Sequence, residues 1–167
     1  MNLWFRMLRI FWLSKFTKII TMWDESRIGF RVWPNDCDIN MHMNNGRYLT
    51  LMDLGRTYFM AQLKMLWKLP KKKWLPVVGA VEIRYHRSLN PFQKFELVTR
   101  VLTWDTKWIY LEQRFEVEGK IYAVARLRAL FIGPKGRVPT DDVIRLIIDT
   151  VPQAPINGVT GLWTDET

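Results

Sequence analysis

Hydrophobic and polar residues alternate with a period of two along most of this chain, interrupted by one stretch with a period near 3.6. Ile28, Phe30 and Val32 alternate with Arg27, Gly29 and Arg31, which predicts a first strand over 27–33. Tyr48, Leu51, Met52, Gly55, Phe59, Leu63 and Leu66 then recur at helical spacing. They predict a long helix that Asn44 or Asn45 caps, that runs to about Trp67, and that Pro70 cannot continue. Four alternating segments follow, at 77–86, 94–104, 108–118 and 120–132. The first puts Val77, Val81, Ile83 and Tyr85 on one side, and the second Phe95, Leu97 and Val101. The third does so for Ile109, Leu111, Phe115 and Val117, and the fourth for every second residue from Ile121 to Phe131. Turn chemistry at Asn90-Pro91, Asp105-Thr106 and Gly119 keeps the connections short, so the strands form an antiparallel meander.

One strand, one long helix and a meander make an α+β domain: a five-stranded antiparallel sheet that twists, curls around the helix and buries its apolar face. Gly55 inside the helix costs about 1 kcal/mol relative to alanine and points to close approach of another backbone. Thr140-Asp141-Asp142 before Val143 predicts a short capped helix, and the Pro-, Gly- and Thr-containing stretch after Pro152 a loosely held tail. The expected organisation is an apolar and basic segment over 1–22, the sheet domain over 23–133, a short helical extension over 134–152 and the tail over 153–167.

A chain of 167 residues, 49% hydrophobic, fits one domain with a real core. The single cysteine, Cys37, excludes an intrachain disulfide and favours a reducing, cytoplasmic compartment. A net charge of +9 suits anionic partners, but no zinc, helix-turn-helix or aromatic RNA-binding signature accompanies it, so nucleic acid is not expected. Residues 1–20 combine Trp4, Phe5, Phe11, Trp12 and Phe16 with Arg6, Arg9, Lys15 and Lys18. Charges interrupt the apolar run too often for a signal peptide or for the roughly 20-residue span of a bilayer. Two readings stay open for it: peripheral contact with an anionic membrane surface, at the inner membrane in a cytoplasmic protein, or packing on the domain or a second subunit.

The chemistry concentrates in Asp36-Cys37-Asp38-Ile39-Asn40-Met41-His42-Met43-Asn44-Asn45, directly before the long helix. In an extended backbone its polar residues at 36, 38, 40, 42 and 44 would face one way. A calcium loop would need glycine at its sixth position and glutamate at its twelfth, which here are Met41 and Arg47. A zinc site would need more ligands than Cys37, His42 and His86 supply, so no metal is expected.

Asp38-x-Asn40-x-His42-x-Asn44-Asn45-x-x-Tyr48, between a first strand and a long helix, resembles the active-site segment of hot-dog-fold acyl thioesterases. It is similar to the 4-hydroxybenzoyl-CoA thioesterase-like branch and to the plant acyl-carrier-protein thioesterases. Tyr48-Leu-Thr-Leu-Met-Asp53 and Arg84-Tyr85-His86-Arg87-Ser88-Leu89 extend the likeness over about 27–132. The resemblance implies a hot-dog fold and hydrolysis of an acyl-CoA or acyl-carrier-protein thioester to free acid and thiol, with no cofactor beyond the coenzyme A of the substrate. It also implies a homodimer or dimer-based tetramer with sites at the subunit boundary. Asp38 matches the acid that acts as nucleophile or general base; Asn40 and His42 match the plant pattern's amide and imidazole. The helix start at Asn44 and Asn45 would bind the thioester oxygen, beside Tyr48, and Lys71, Lys72, Lys73 and Arg87 are candidates for the coenzyme A phosphates. Asp36 is expected as a turn or cap, Asp53 as a solvated acid, and Glu82, Arg84 and His86 as an exposed charged stripe, the alternative being that one of the three enters the site across a dimer seam. Two alternatives are a non-catalytic hot-dog protein that binds acyl thioesters or assembles at a membrane, and a hot-dog dehydratase or hydratase, which the Asp-Asn-His-Asn-Asn order fits less well.

Overall fold

Strand β1 (Ser26–Arg31) buries Ser26, Ile28 and Phe30 and exposes Arg27, Gly29 and Arg31, as its alternation demands. The computed structural model describes residues 3–148, 150 and 152. Before β1 lies α1 (Leu3–Ser14); after it come α2 (Asn45–Gln62), the one-turn α3 (Leu69–Lys72), β2 (Leu75–Tyr85) and β3 (Lys94–Trp104). β4 (Ile109–Val117), β5 (Lys120–Gly133), β6 (Gly136–Val138) and α4 (Thr140–Ile144) complete the chain. One antiparallel sheet holds the strands in the order β1-β3-β4-β5-β2, with β6 paired to β5.

The sheet curls around α2, whose Tyr48, Leu51, Met52, Leu54 and Phe59 join Leu97, Phe115, Ala125 and Leu127 in one core. This is the α+β hot-dog arrangement that the sequence predicts, with a short sixth strand added. The outer face carries a cross-strand ion-pair ladder in which Glu112 meets Arg100, Arg114 and Arg126, and Arg114 also reaches Glu25 and Glu116. Between β4 and β5, Glu118 and Gly119 take φ of 50° and 76°, the positive pair a tight hairpin requires.

The two edges of the sheet differ. At β1, Arg6 Nη2 and Arg9 Nη1 of α1 donate to Arg31 O and Gly29 O, each at 3.2 Å, so the helix covers that edge. At β2, Leu75, Val77, Val78 and Tyr85 are exposed.

Several expectations need correction. α2 ends at Gln62 rather than near Trp67, because Lys64 turns into the left-handed region at φ 58° and the Met65 and Leu66 amides fold back onto Met60 O. Pro70 does not stop α2; it sits in the first turn of α3, where its missing N–H costs nothing. In β2, Val78 pairs with Ala129 and Ala80 with Arg128, so Gly79 is an inserted residue and side-chain parity reverses there. Val78, not Val77, therefore shares a side with Val81 and Ile83. A Cβ on Gly79 would stand 2.4 Å from Cη2 of Trp108, which leaves room only for glycine. Gly55 does mark a close approach, but by side chains: its Cβ would lie 2.5 Å from Leu97 Cδ2 and 3.0 Å from Gln113 Nε2. Ile121 pairs with Glu116 past a register shift and is exposed rather than core-facing, whereas Tyr85 keeps the Val81 and Ile83 side and packs on Tyr48 while remaining partly exposed. Pro139, not Thr140, holds the cap position of α4, although Asp141 and Asp142 do occupy its first turn. The tail at 153–167 lies outside the described residues.

Candidate active site

The extended alternation expected over 36–44 does not form, and the reason is local hydrogen bonding. A 3-10 turn over Pro34–Asp36 leads into a bridge between Cys37 and Met43, and the five residues between them close a tight loop. Asp38 N donates to His42 O at 2.9 Å, Met41 N donates to Asp38 O at 3.1 Å, and Met41 takes φ 58°. The Asn40 amide donates to Asp38 Oδ1 at 2.9 Å, an Asx turn that orients the carboxylate. Met43 N donates to Leu89 O and Asn44 N to Asp36 O, both at 2.9 Å, which tie the loop to the strand end beneath it. Ile39, 97% exposed, and Met41 project into solvent at the loop tip.

Asp36 carries more than the turn. Its Oδ2 accepts from Trp33 N at 2.9 Å, the capping role expected of it. Its carboxylate is also ion-paired to Arg6 of α1, through Nη1 at 3.1 Å and through Nη2, with the two side chains only 1% and 3% exposed. The charge on α1 that most disturbs its apolar pattern is thus an internal strut, fixed two residues from Asp38.

At the start of α2, Asn44 Oδ1 accepts from Gly46 N at 2.8 Å and Asn44 O from Arg47 N at 2.8 Å. The Asn45 amide is the first of the helix and is taken up by neither bond. A cavity of about 260 Å³ opens here, lined by Asp38, His42, Met43, Asn45, Tyr48, Tyr85, His86, Arg87 and Ser88. Tyr48 is its floor: buried, edge-on to Tyr85 at 4.9 Å and to Phe115 at 4.8 Å between ring centroids. Burial pushes the Tyr48 phenol up to about 12, against a smaller downward pull from a hydrogen bond with the Leu89 backbone. Tyr48 is therefore a neutral hydroxyl at any physiological pH. Burial also raises the Cys37 thiol, and the neighbouring Asp36 and Asp38 charges add to it, so Cys37 is a poor nucleophile. No cluster of three or more His, Cys, Asp or Glu side chains that could hold a metal ion occurs among the described residues.

The fold thus brings Asp38, His42, Asn45, Tyr48 and Arg87 around one cavity and leaves the other candidates elsewhere. Asn40 lies on the exposed loop and contributes its backbone amide to Asp38. Asn44 caps the helix with its side-chain oxygen. Lys71 and Lys72 sit on α3 at the far end of β2, with Lys72 Nζ 5.0 Å from the centroid of the Trp74 ring. Ten residues of extended strand, about 33 Å, separate that end from Tyr85 in the same subunit. Asp53 is exposed and ion-paired to Arg56. Glu82 and Arg84 form the expected surface stripe, joined by a 2.9 Å hydrogen bond, but His86 leaves it and lines the cavity with Tyr85 and Ser88. Tyr85 and Ser88 are the residues that the pattern missed, and His86 reaches the cavity of its own subunit rather than one across a seam. The signal was the Arg84–Leu89 segment: Leu89 is fully buried beneath the Asp38 loop and accepts its Met43 amide.

A second cavity, about 300 Å³ and mostly apolar, lies between the C-terminal half of α2 and the sheet, lined among others by Phe59, Met60, Val78, Leu111, Ala129 and Phe131.

Residues 32–153 match the family model described as the thioesterase-like superfamily. The chain is 43% identical to Protein THEM6 of Danio rerio over 59% of its own length and 50% of that protein's. It is 30% identical to the probable thioesterase YBR096W of Saccharomyces cerevisiae over 51% of its length and 37% of that protein's, so it spans about half or less of these curated relatives. Among solved structures, the DHNA-CoA thioesterase of Staphylococcus aureus superposes with a TM-score of 0.65 at 15% identity, covering 71% of this chain and 82% of that one.

Proposed function

The chain belongs to the thioesterase-like superfamily, and from that premise we propose that it hydrolyses an acyl-CoA thioester, or the same acyl group on a carrier protein, to free acid and thiol. The observation that carries the proposal is the convergence of Asp38, His42, Asn45 and Tyr48 on one cavity at the N-terminus of α2. The thioester carbonyl oxygen faces the Asn45 amide, where the unpaired helix N–H and the positive end of the helix dipole stabilise the charge that develops on attack. Asp38, aligned by the Asn40 amide, attacks the carbonyl carbon or takes the proton of the water that does. The C–S bond breaks and the thiolate leaves, taking a proton from His42 or His86, which is replaced by the proton of the attacking water; where Asp38 itself attacks, that water then hydrolyses the acyl–Asp38 anhydride to the free acid and regenerates the carboxylate. Tyr48, neutral throughout, packs against the acyl head. The apolar cavity under α2 suits an aliphatic chain.

The working unit in this reading is a dimer formed through the open β2 edge, whose exposed Leu75, Val77, Val78 and Tyr85 are an unprotected pairing surface. Antiparallel pairing of two β2 strands about Ala80 sets Leu75 opposite the partner's Tyr85. That geometry carries Lys71 and Lys72 across to the partner's cavity, where they join Arg87 at the mouth to hold the phosphates of coenzyme A.

Thiol release from a panel of short, long and aromatic acyl-CoAs tests the chemistry, with carrier-protein thioesters alongside. Wild type is expected to turn over at least one substrate, and Asp38→Asn to lose a factor of about 10² to 10⁴ while keeping its melting temperature. Turnover retained in Asp38→Asn, or absent from wild type on every thioester despite saturable binding, refutes the assignment. Sedimentation as a monomer at micromolar concentration would remove the shared-site geometry.

A further inference from the structure

We propose that α1 and the turn after α2 form a docking surface for an anionic lipid bilayer. α1 is apolar on two sides. Ile10 and the Arg6–Asp36 ion pair face the domain, together with the partly buried Leu3, Met7 and Leu13. Trp4, Phe5, Leu8 and Trp12 recur at spacings of one, three and four and form the other side, with Phe16 just beyond the helix. Trp4 is 75% exposed and Phe16 73%, and the other three exceed 60%. Read on the sequence alone, four basic residues blur this face; with Arg6 turned inward and Arg9 bonded to Gly29 O, it is continuous.

The face does not stop at α1. Phe11 meets Trp67 at 6.2 Å between ring centroids, which joins it to the turn holding Lys64 and Lys68 and to α3 with Lys71 and Lys72. Residues 1–23 contain four basic and no acidic side chains, and residues 63–81 contain five basic and none acidic. An exposed aromatic surface rimmed by cations and free of carboxylates in both contributing segments is complementary to anionic headgroups over acyl chains. Tryptophan favours that interface, and lysine snorkels to the phosphate level. Asp24, which accepts from Thr21 N and Oγ1 and lies in the field of Lys18, sets one carboxylate against this rim and leaves it net positive. α1 has 12 residues, about 18 Å of helix against a hydrocarbon core of about 30 Å, so it lies on the bilayer and does not cross it. No helix among the described residues is long and apolar enough to span a membrane.

Co-flotation of the full chain with vesicles of phosphatidylglycerol and phosphatidylcholine, and with phosphatidylcholine alone, tests this at about 100 mM salt. Wild type is expected to float with the anionic vesicles and to stay behind with the neutral ones. Trp4→Ser/Leu8→Ser/Trp12→Ser changes only exposed positions, so it should keep the wild-type melting temperature and lose at least tenfold in partitioning. Lys15→Gln/Lys18→Gln should lose roughly fivefold per lysine. Failure of wild type to float with anionic vesicles, equal flotation with neutral ones, or undiminished binding by the folded serine variant would each overturn the proposal. So would a lipid-free oligomer of wild type that the serine variant alone dissociates without any vesicle binding, since a second copy would then cover the face.

Discussion

Replacing Arg6 by methionine should destabilise the fold by about 3 kcal/mol, because it strands a carboxylate where water cannot reach. Methionine keeps most of the aliphatic stem, so the packing of α1 changes little and the loss isolates the ion pair. Removing one member of a buried pair costs roughly 3 to 5 kcal/mol, and two features put this case at the lower end. Asp36 retains the Trp33 amide at 2.9 Å, and Arg47 Nε, on a half-exposed side chain, stands 3.7 Å from Oδ1. Arg6 Nε is itself buried without a partner, so the guanidinium already bears a desolvation cost that its deletion relieves. Urea denaturation followed by circular dichroism should show the midpoint fall at constant slope, and the melting temperature should drop by roughly 6 to 12 °C for a chain of this size. Adding Asp36→Asn removes the stranded charge but keeps an oxygen for the Trp33 amide, so the double variant should regain about 2 kcal/mol. A single variant within about 1 kcal/mol of wild type, or a double variant no better than the single, would refute the strut. Because Asp36 O also receives the Asn44 amide, relaxation of this joint reaches both Asp38 and the helix start.

Three further outcomes follow from individual contacts. Tyr48 holds its proton more tightly in the folded state, with the phenol raised from the ordinary value near 10 to about 12. Its stabilising contribution is complete below pH 10 and is lost as pH climbs towards 12, so wild type should lose more stability over that interval than Tyr48→Phe; parallel curves would contradict the burial argument. Gly55→Ala gains about 1 kcal/mol of helix propensity but forces Leu97 and Gln113 aside at a cost of about 1 to 3 kcal/mol; chemical denaturation should find it less stable than wild type, and a stabilised variant would show that the contact yields easily. Ala129→Leu fills part of the apolar cavity and should move the preferred acyl chain two or three carbons shorter, each excluded methylene being worth about fourfold in kcat/KM; an unchanged chain-length profile would place the acyl group elsewhere.

What could be read from the chain was what depends on near neighbours. The period-two segments gave β3 its full extent, and β5 to within a residue, because an inward Phe95 or Leu127 is specified by its own alternation and by the same alternation opposite it. The Asn44 cap was legible for the same reason, since donor and acceptor lie two residues apart. The readings that failed are those in which a distant group or one glycine overrides the local pattern. Gly79 reverses the parity of β2 only because Trp108 occupies the space of its missing side chain. The polar alternation over 36–44 predicts an extended edge, yet Asp38 and Asn44 direct their hydrogen bonds into local turns, and the loop packs on Leu89 more than forty residues away. His86 joins the cavity because β2 ends at Tyr85, after which the His86 and Arg87 amides both turn onto Tyr122 O. Arg6 is the sharpest instance. On a helical wheel it breaks an apolar face, whereas in the fold it pairs with Asp36 thirty residues on, and its removal from the surface makes the aromatic face of α1 continuous. One buried ion pair thus joins the two sites proposed for this protein. A helix held by a bilayer would hold, through Arg6 and Asp36, the loop that aims Asp38, so Arg6→Met should weaken vesicle binding and turnover together, whereas Trp4→Ser/Leu8→Ser/Trp12→Ser should weaken vesicle binding alone.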